Sequence, residues 1–280
     1  MVGAAGQLGR AVLHELERHR HTVGLTRRDV DLSHTAEVRR RLIDLAPWAI
    51  VNCAGYNDVD GAEDHAEAAL AANAFAVLTL ARAAAEIGAV FVQYSSDFVF
   101  DGDHDRPYVE EDRPAPQSVY AASKLLGEWF ASEAPAHYVL RVESLFGGPG
   151  PNKSSLDRII QAVAAGGHVR AFTDRIVTPS YACDIARATA ALLRARPEPG
   201  IYHCVNTGAA SWFDVALEIR GRLGTSAEIE PVRFGDVMLR ARRPRYCALD
   251  NGKLARAAFA MPAWQDALER ALAARGAAEG

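Results

Sequence analysis

The feature that most restricts the fold is an alternation. Up to Val142, short apolar runs that read as strands take turns with longer amphipathic or Ala-rich runs that read as helices. The strand-like runs cover residues 21–26, 48–55, 89–96 and 138–142; the helix-like runs cover 11–19, 35–45, 64–87 and 121–130. Strands joined through helices run parallel, because each crossover returns the chain to the same end of the sheet, and the helices then cover both faces. The expected class is therefore α/β with a doubly wound parallel sheet. After Phe146 the texture changes to a Gly/Pro loop over 147–151 and shorter elements, which read as a smaller lobe at the carboxyl edge of the sheet. Residues 200–205 read as a further strand of the main sheet, and the chain beyond Ser211 as helices with short loops.

The chain opens on Gly3, Gly6 and Gly9, followed by a helix. A glycine turn entering a helix lets backbone N–H groups approach a pyrophosphate, so this is a candidate dinucleotide turn of the Rossmann type, with Gly3 and Gly6 at the cofactor. An ordinary Gly-rich helix start is the competing reading. Only Met1 and Val2 precede the turn where a central strand is expected, so the first strand is expected to be truncated. On this reading residues 1–145 with about 180–208 form the dinucleotide-binding domain, and 146–179 with 209–280 form the substrate lobe.

An acidic residue often ends the second strand of NAD-selective sites; here Arg27-Arg28 follows it. A guanidinium there can grip a 2′-phosphate, which favours NADPH over NADH, although a solvated loop pair would look the same. Asp31 and Leu32 are placed to reach an adenine, and Ser33 is expected to cap the helix over 35–45. Ala54 and Gly55 end a strand with small side chains that leave room for a cofactor. Asn73, inside a helical run, is expected to make a buried structural hydrogen bond.

Composition excludes several classes. The net charge is −4, with Lys and Arg scattered, so no nucleic-acid partner is expected. Cys53, Cys183, Cys204 and Cys247 are far apart and the nine His show no ligand spacing, which suggests neither metal nor disulfides and fits a reducing cytoplasm. No apolar run reads as long enough to span a bilayer. A homodimer is a possible assembly.

Chemistry is suggested by three residues. Tyr120 and Lys124 lie four apart in a helical run and so project from one face. Ser96 ends the run over 89–96, at the carboxyl end of a strand, where open α/β sheets bind ligands. An ammonium and a cationic nicotinamide ring would both lower the phenol's pKa toward working pH, so that Tyr120 can pass a proton to a carbonyl oxygen. Lys124 would also hold the nicotinamide ribose, and Ser96 would orient the carbonyl.

These residues resemble the extended short-chain dehydrogenase/reductases and, among them, the dTDP-4-dehydrorhamnose reductase family. The likeness rests on the opening glycines, 52–56, the Ser-Ser-Asp-Phe-Val-Phe-Asp-Gly stretch over 95–102, 120–124, Arg243-Pro244 and Leu249-Asp250. It implies reduction of a 4-keto nucleotide sugar by NADPH, with NADH possible. It further implies that Gly6, Gln7, Leu8, Asp31, Leu32, Gly55 and Tyr56 line the cofactor, while Ser96 and Asp97 touch the sugar. The family usually carries a tryptophan packed on the sugar after the strand holding Arg141, where this chain has Leu145, which leaves open a sugar other than rhamnose. Arg175 could meet a substrate phosphate or be a solvated loop arginine. Related dehydratases place Asp-Glu after the strand hydroxyl; here Phe98 follows Asp97, and a lone carboxylate argues for simple carbonyl reduction. A nucleotide-sugar epimerase, and a non-catalytic subunit like the regulatory subunit of methionine adenosyltransferase, are the alternatives.

Overall fold

The computed structural model describes residues 1–150, 152 and 154–279, with the backbone alone for 277–279; Pro151 of the expected Gly/Pro loop lies outside the described residues. Four parallel strands form the main sheet in the order Ala49–Asn52, Val90–Ser96, His137–Val142, Gly200–His203. Val2 extends it by single parallel bridges, to Asn52 on one side and Leu25 on the other. The strand expected over 21–26 is thus reduced to Leu25. Its partner offers only Met1 and Val2, and a ladder is no longer than its shorter strand: Leu25 N donates to Met1 O (2.8 Å) and Gly3 N to Leu25 O (2.9 Å).

The burial pattern shows why helices cover both faces. Side chains alternate along a strand. Val90, Val92 and Tyr94 join one core with Val12, Ile185 and Leu192, from helices Gln7–Glu17 and Ala182–Ala195. Phe91, between them, points the other way into a core with Val38, Leu42, Leu80 and Ala84, from helices Thr35–Leu45 and Ala76–Ile87. Every residue of Val90–Ser96 is buried, as a central parallel strand must be.

Two expectations need correction here. The helical stretch Ala66–Ile87, 22 residues of mean hydropathy 1.5, is long and apolar enough to cross a membrane, although half of its most apolar window is buried inside the protein. Its apolarity is largely alanine, which packs helices closely, as where Val77, Leu80 and Ala81 enter the core. Ser33 does not cap Thr35–Leu45: His34 holds the cap position, and Ser33 Oγ donates instead to Asp31 Oδ1 (2.9 Å).

A further core gathers Phe146, Leu156, Ile160, Val215, Ile219, Trp264 and Leu268. Two of its helices start on serine caps: Ser154 accepts from Asp157 N, and Ser211 with Asp214 forms a capping box. Beside them His168–Phe172 pairs in parallel with Glu228–Val232, a strand in a region expected to hold only helices and loops. Leu254 and Met261, late in the chain, pack on the core of the main sheet.

Candidate active site

The chain runs from Val2 outward to Leu25 and then returns to Ala49–Asn52 on the opposite side of Val2, so the strand order reverses there. Ligands bind open α/β sheets at such a reversal, outside the carboxyl ends of the strands. Gly3 sits at that point with φ +80°, and a Cβ on it would lie 2.5 Å from Ala54 N. A Cβ on Gly9 would lie 2.0 Å from Gly3 O, so the first helix turn packs directly on the loop. No side chain caps that helix, and its cap residue Gly6 is exposed. The result is a cleft of about 560 Å³ whose walls include Gly3, Gly6, Arg27, Asp31, Leu32, Ala54, Gly55 and Tyr56. Gln7 and Leu8 are not part of those walls. Leu8 is core, and Gln7 Nε2 donates to Gly147 O and Asp157 Oδ2, both at 2.9 Å. The Arg27 side chain is 91% exposed at the rim, 4.0 Å from Asp31.

Asn73 connects this cleft to the tyrosine helix. It lies in a π-helical turn, Ala71–Phe75, and is buried. Its Oδ1 accepts from Tyr56 N (2.8 Å), while its Nδ2 donates to Tyr56 O and Ser123 Oγ, both at 3.0 Å. Ser123 Oγ in turn donates to Tyr120 O (2.7 Å). A Cβ on Gly127 would lie 2.1 Å from Asn73 O, so close packing of the two helices requires glycine there.

Tyr120 stands in the first turn of helix Val119–Ala131, which Ser118 caps by accepting from Ala121 N (3.2 Å). Its ring is buried edge-on against Phe98, with centroids 5.6 Å apart. Ser96 Oγ donates to Asp97 Oδ1 (2.8 Å) and accepts from Phe98 N (3.2 Å). The expected lowering of the tyrosine pKa is not seen. Burial, followed by the Asp97 charge, pushes the phenol above its ordinary value, and hydrogen bonding with Ser96 offsets part of this. The ammonium does not offset this burial, because it points elsewhere: Lys124 Nζ donates to Tyr94 O at 2.6 Å. Burial pushes Lys124 down to about 8, with Glu128 acting against it.

The Ser96 end of the site is more acidic than the sequence suggested. Asp97 and Glu143 are both buried, and one ligand oxygen from each lies within 4.8 Å of the other and of Cys247 Sγ. Two unit charges about 4 Å apart repel by ~4 kcal/mol at an effective dielectric of ~20. Burial pushes Asp97 up to about 6, with Ser96, Arg175 and Cys247 pulling it back. Burial and then Asp97 push Glu143 well above the usual carboxyl range. Glu143 accepts from Ser144 Oγ and Thr178 N, whereas Asp97 Oδ2 has no hydrogen-bond partner. The argument from a lone carboxylate therefore fails, because a second acid arrives from the next strand. Its only sequence signal was a charged residue directly after an apolar run; nothing in the sequence pointed to Cys247.

Arg175 is not a solvated loop residue. Its Nε donates to Pro244 O (3.3 Å), and its guanidinium stands 5.9 Å from the Phe98 ring and 5.6 Å from that of Phe234. Leu145 begins the short strand Leu145–Phe146, which pairs with Ser180–Tyr181, and packs on the core of the main sheet.

Comparison with known proteins adds to this geometry. The family described as RmlD substrate binding domain matches residues 1–276. The chain is 35% identical over 282 residues to the dTDP-4-dehydrorhamnose reductase of Mycobacterium tuberculosis, covering 98% of this chain and 92% of that one. It is 34% identical over 261 residues to the Streptomyces griseus protein of the same name, covering 90% and 85%. Among solved structures, dTDP-4-dehydrorhamnose reductase from Bacillus anthracis in complex with NADP superposes with a TM-score of 0.91 at 30% identity, over 97% of this chain and 96% of that one.

Proposed function

The chain belongs to the dTDP-4-dehydrorhamnose reductase family, and from that premise we propose that it reduces the 4-keto group of a nucleotide sugar with NADPH, converting dTDP-4-dehydro-L-rhamnose to dTDP-L-rhamnose. The observation that carries the reading is the connection through Asn73, which ties Tyr56 in the cleft wall to the helix that presents Tyr120. The cleft suits a dinucleotide in three respects: a backbone cradle that a Cβ at Gly3 would fill, a helix start left uncapped, and an arginine at the rim. When bound, the dinucleotide supplies the hydride.

The protein's own residues do the rest. Tyr120 keeps its proton through the neutral range and gives it to the carbonyl oxygen as charge develops there. Ser96, whose hydroxyl donates to Asp97 in the free protein, turns it to the same oxygen and fixes its direction. The phenolate left behind is buried, and Lys124, one helical turn away, turns from Tyr94 O to balance it and to hold the nicotinamide ribose. Arg27 and Asp31 hold the adenosine end, and Arg27 favours NADPH over NADH. Asp97 and Leu145 face the sugar, and Arg175 takes the nucleotide diphosphate.

The division into a dinucleotide domain (1–145 with about 180–208) and a substrate lobe, a cytoplasmic location and a homodimer belong to the same reading; sedimentation of the purified protein tests the last. The decisive assay follows NADPH consumption with freshly generated dTDP-4-keto-6-deoxy-L-mannose. Folded protein that binds NADPH but consumes none above background sinks the proposal. Copurifying NAD without net oxidation of NADPH would favour an epimerase, and capture of a synthetase partner without turnover a regulatory subunit.

A further inference from the structure

We propose that Glu143 is a positioning residue of the sugar pocket: it shares one proton with Asp97, so the pair carries a single negative charge and Asp97 Oδ2 is left to accept a hydrogen bond from a hydroxyl of the bound keto sugar. This rests on the proposed function only for the identity of the ligand. The pair itself is read from this chain's geometry.

The first ground is proximity. Asp97 follows the strand that ends on Ser96, Glu143 follows the neighbouring strand, and Ser96 pairs with Val142 in register. That register brings the two carboxyls to the same end of the sheet, with ligand oxygens within 4.8 Å and both side chains buried. Two carboxylates so placed do not both ionise without heavy cost; one proton between them is the usual outcome. The second ground is charge. The titratable and charged groups facing the pair are Arg175, Cys247 and Tyr120. Arg175 is the one cation among them, with Nη2 3.9 Å from Cys247 Sγ, and it balances one negative charge but not two. The third ground is the open acceptor. Ser96 Oγ donates to Asp97 Oδ1, Ser144 Oγ and Thr178 N donate to Glu143, and Oδ2 alone is buried without a donor. A buried acceptor left without a donor is costly, and a sugar hydroxyl is a donor of the right size. Asp97 touches the sugar, and Glu143 acts through Asp97.

The test begins with free protein. Infrared spectra of the wild type are expected to show a protonated-carboxyl band at neutral pH that Glu143→Gln removes. Asp97→Asn lowers the pH at which the band disappears, since the Asp97 charge no longer helps to hold the Glu143 proton, and this second variant keeps the test open should Glu143→Gln not fold. In turnover, the wild-type KM for the keto sugar rises about tenfold per pH unit above the pH at which the band disappears, whereas the Glu143→Gln KM stays flat because its amide donates to Asp97 at every pH. A wild type without the band at neutral pH, a band that survives Glu143→Gln, or a variant with the wild-type KM slope overturns the proposal. A folded protein that shows the band but reduces no keto sugar supports the carboxyl pair and overturns the proposed reaction instead.

Discussion

Lys124 donates its ammonium to the backbone carbonyl of Tyr94, 2.6 Å away, rather than pairing with the phenol one helical turn before it. That carbonyl also accepts from Gln93 Nε2 at 2.7 Å, and Gln93 Oε1 accepts from Asn52 Nδ2 at 2.7 Å, so the lysine is anchored to a polar rung across two central strands. The arrangement has a stability consequence. An unfolded lysine titrates near 10.5, and burial brings Lys124 down to about 8. Between those values the unfolded chain binds the extra proton, so stability rises with pH across that window and the lysine is a burden below it. Lys124→Met is expected to stabilise the protein near neutral pH by about 1–2 kcal/mol, part of the gain being lost with the bond to Tyr94. It also abolishes most turnover. Melting curves from pH 6 to 10 check this: the advantage of the variant must shrink toward the alkaline end.

Tyr120→Phe removes the proposed proton donor and leaves the ring packed against Phe98. General-acid catalysis is worth about 10²–10⁴-fold, so kcat falls by that factor while NADPH affinity, read by fluorescence titration, is unchanged. Turnover at the wild-type rate would falsify the role given to Tyr120. Because burial raises the phenol's pKa in the free protein, loss of its proton sets no limit on kcat/KM in the neutral range.

The contrast between these two residues shows what the sequence made legible. Spacing alone put Tyr120 and Lys124 on one helix face, and alternation alone gave the parallel sheet, because both follow from local periodicity. Which way the ammonium points depends on Tyr94, thirty residues upstream in a strand that pairs only in the folded state, and no periodicity encodes that. Asp97 was read from its own stretch. Its partner Glu143 was not, because register between neighbouring strands decides that their ends meet. The strand read over 21–26 shrank to Leu25 because its partner is only Met1 and Val2, a shortness the sequence did show although its effect on the neighbouring strand was not drawn.

Arg27 is the site residue most exposed to solvent, and its ion pair with Asp31 is loose at 4.0 Å. Exposed pairs of this kind contribute about 0–1 kcal/mol, so Arg27→Ala should leave the melting temperature nearly unchanged. If the guanidinium holds a 2′-phosphate, the same change weakens NADPH by about tenfold or more, one to two charge-assisted hydrogen bonds, and NADH far less. Calorimetric titration with both dinucleotides decides it, and equal losses would leave the phosphate role without support.

A buried ion pair joins helix Val119–Ala131 to strand His137–Val142. Arg141 Nε and Nη2 donate to Glu128 Oε1 and Oε2 at 2.9 and 2.7 Å, with the two side chains 1% and 2% exposed. Arg141 pairs in register with Ser95, next to Ser96, and Glu128 lies one turn beyond Lys124, so this pair fixes the tyrosine helix to the strand beside the one that carries the serine. His203 adds no second positive charge beside the arginine: burial and the Arg141 charge push it down to about 3, so it is neutral. Glu128→Leu therefore strands a buried guanidinium and is expected to cost about 3–5 kcal/mol in urea unfolding. Replacing both partners, Glu128→Leu with Arg141→Met, removes the stranded charge and should recover most of that loss. A double variant no more stable than the single one would show that the pair's geometry, and not its charge balance, sets the cost.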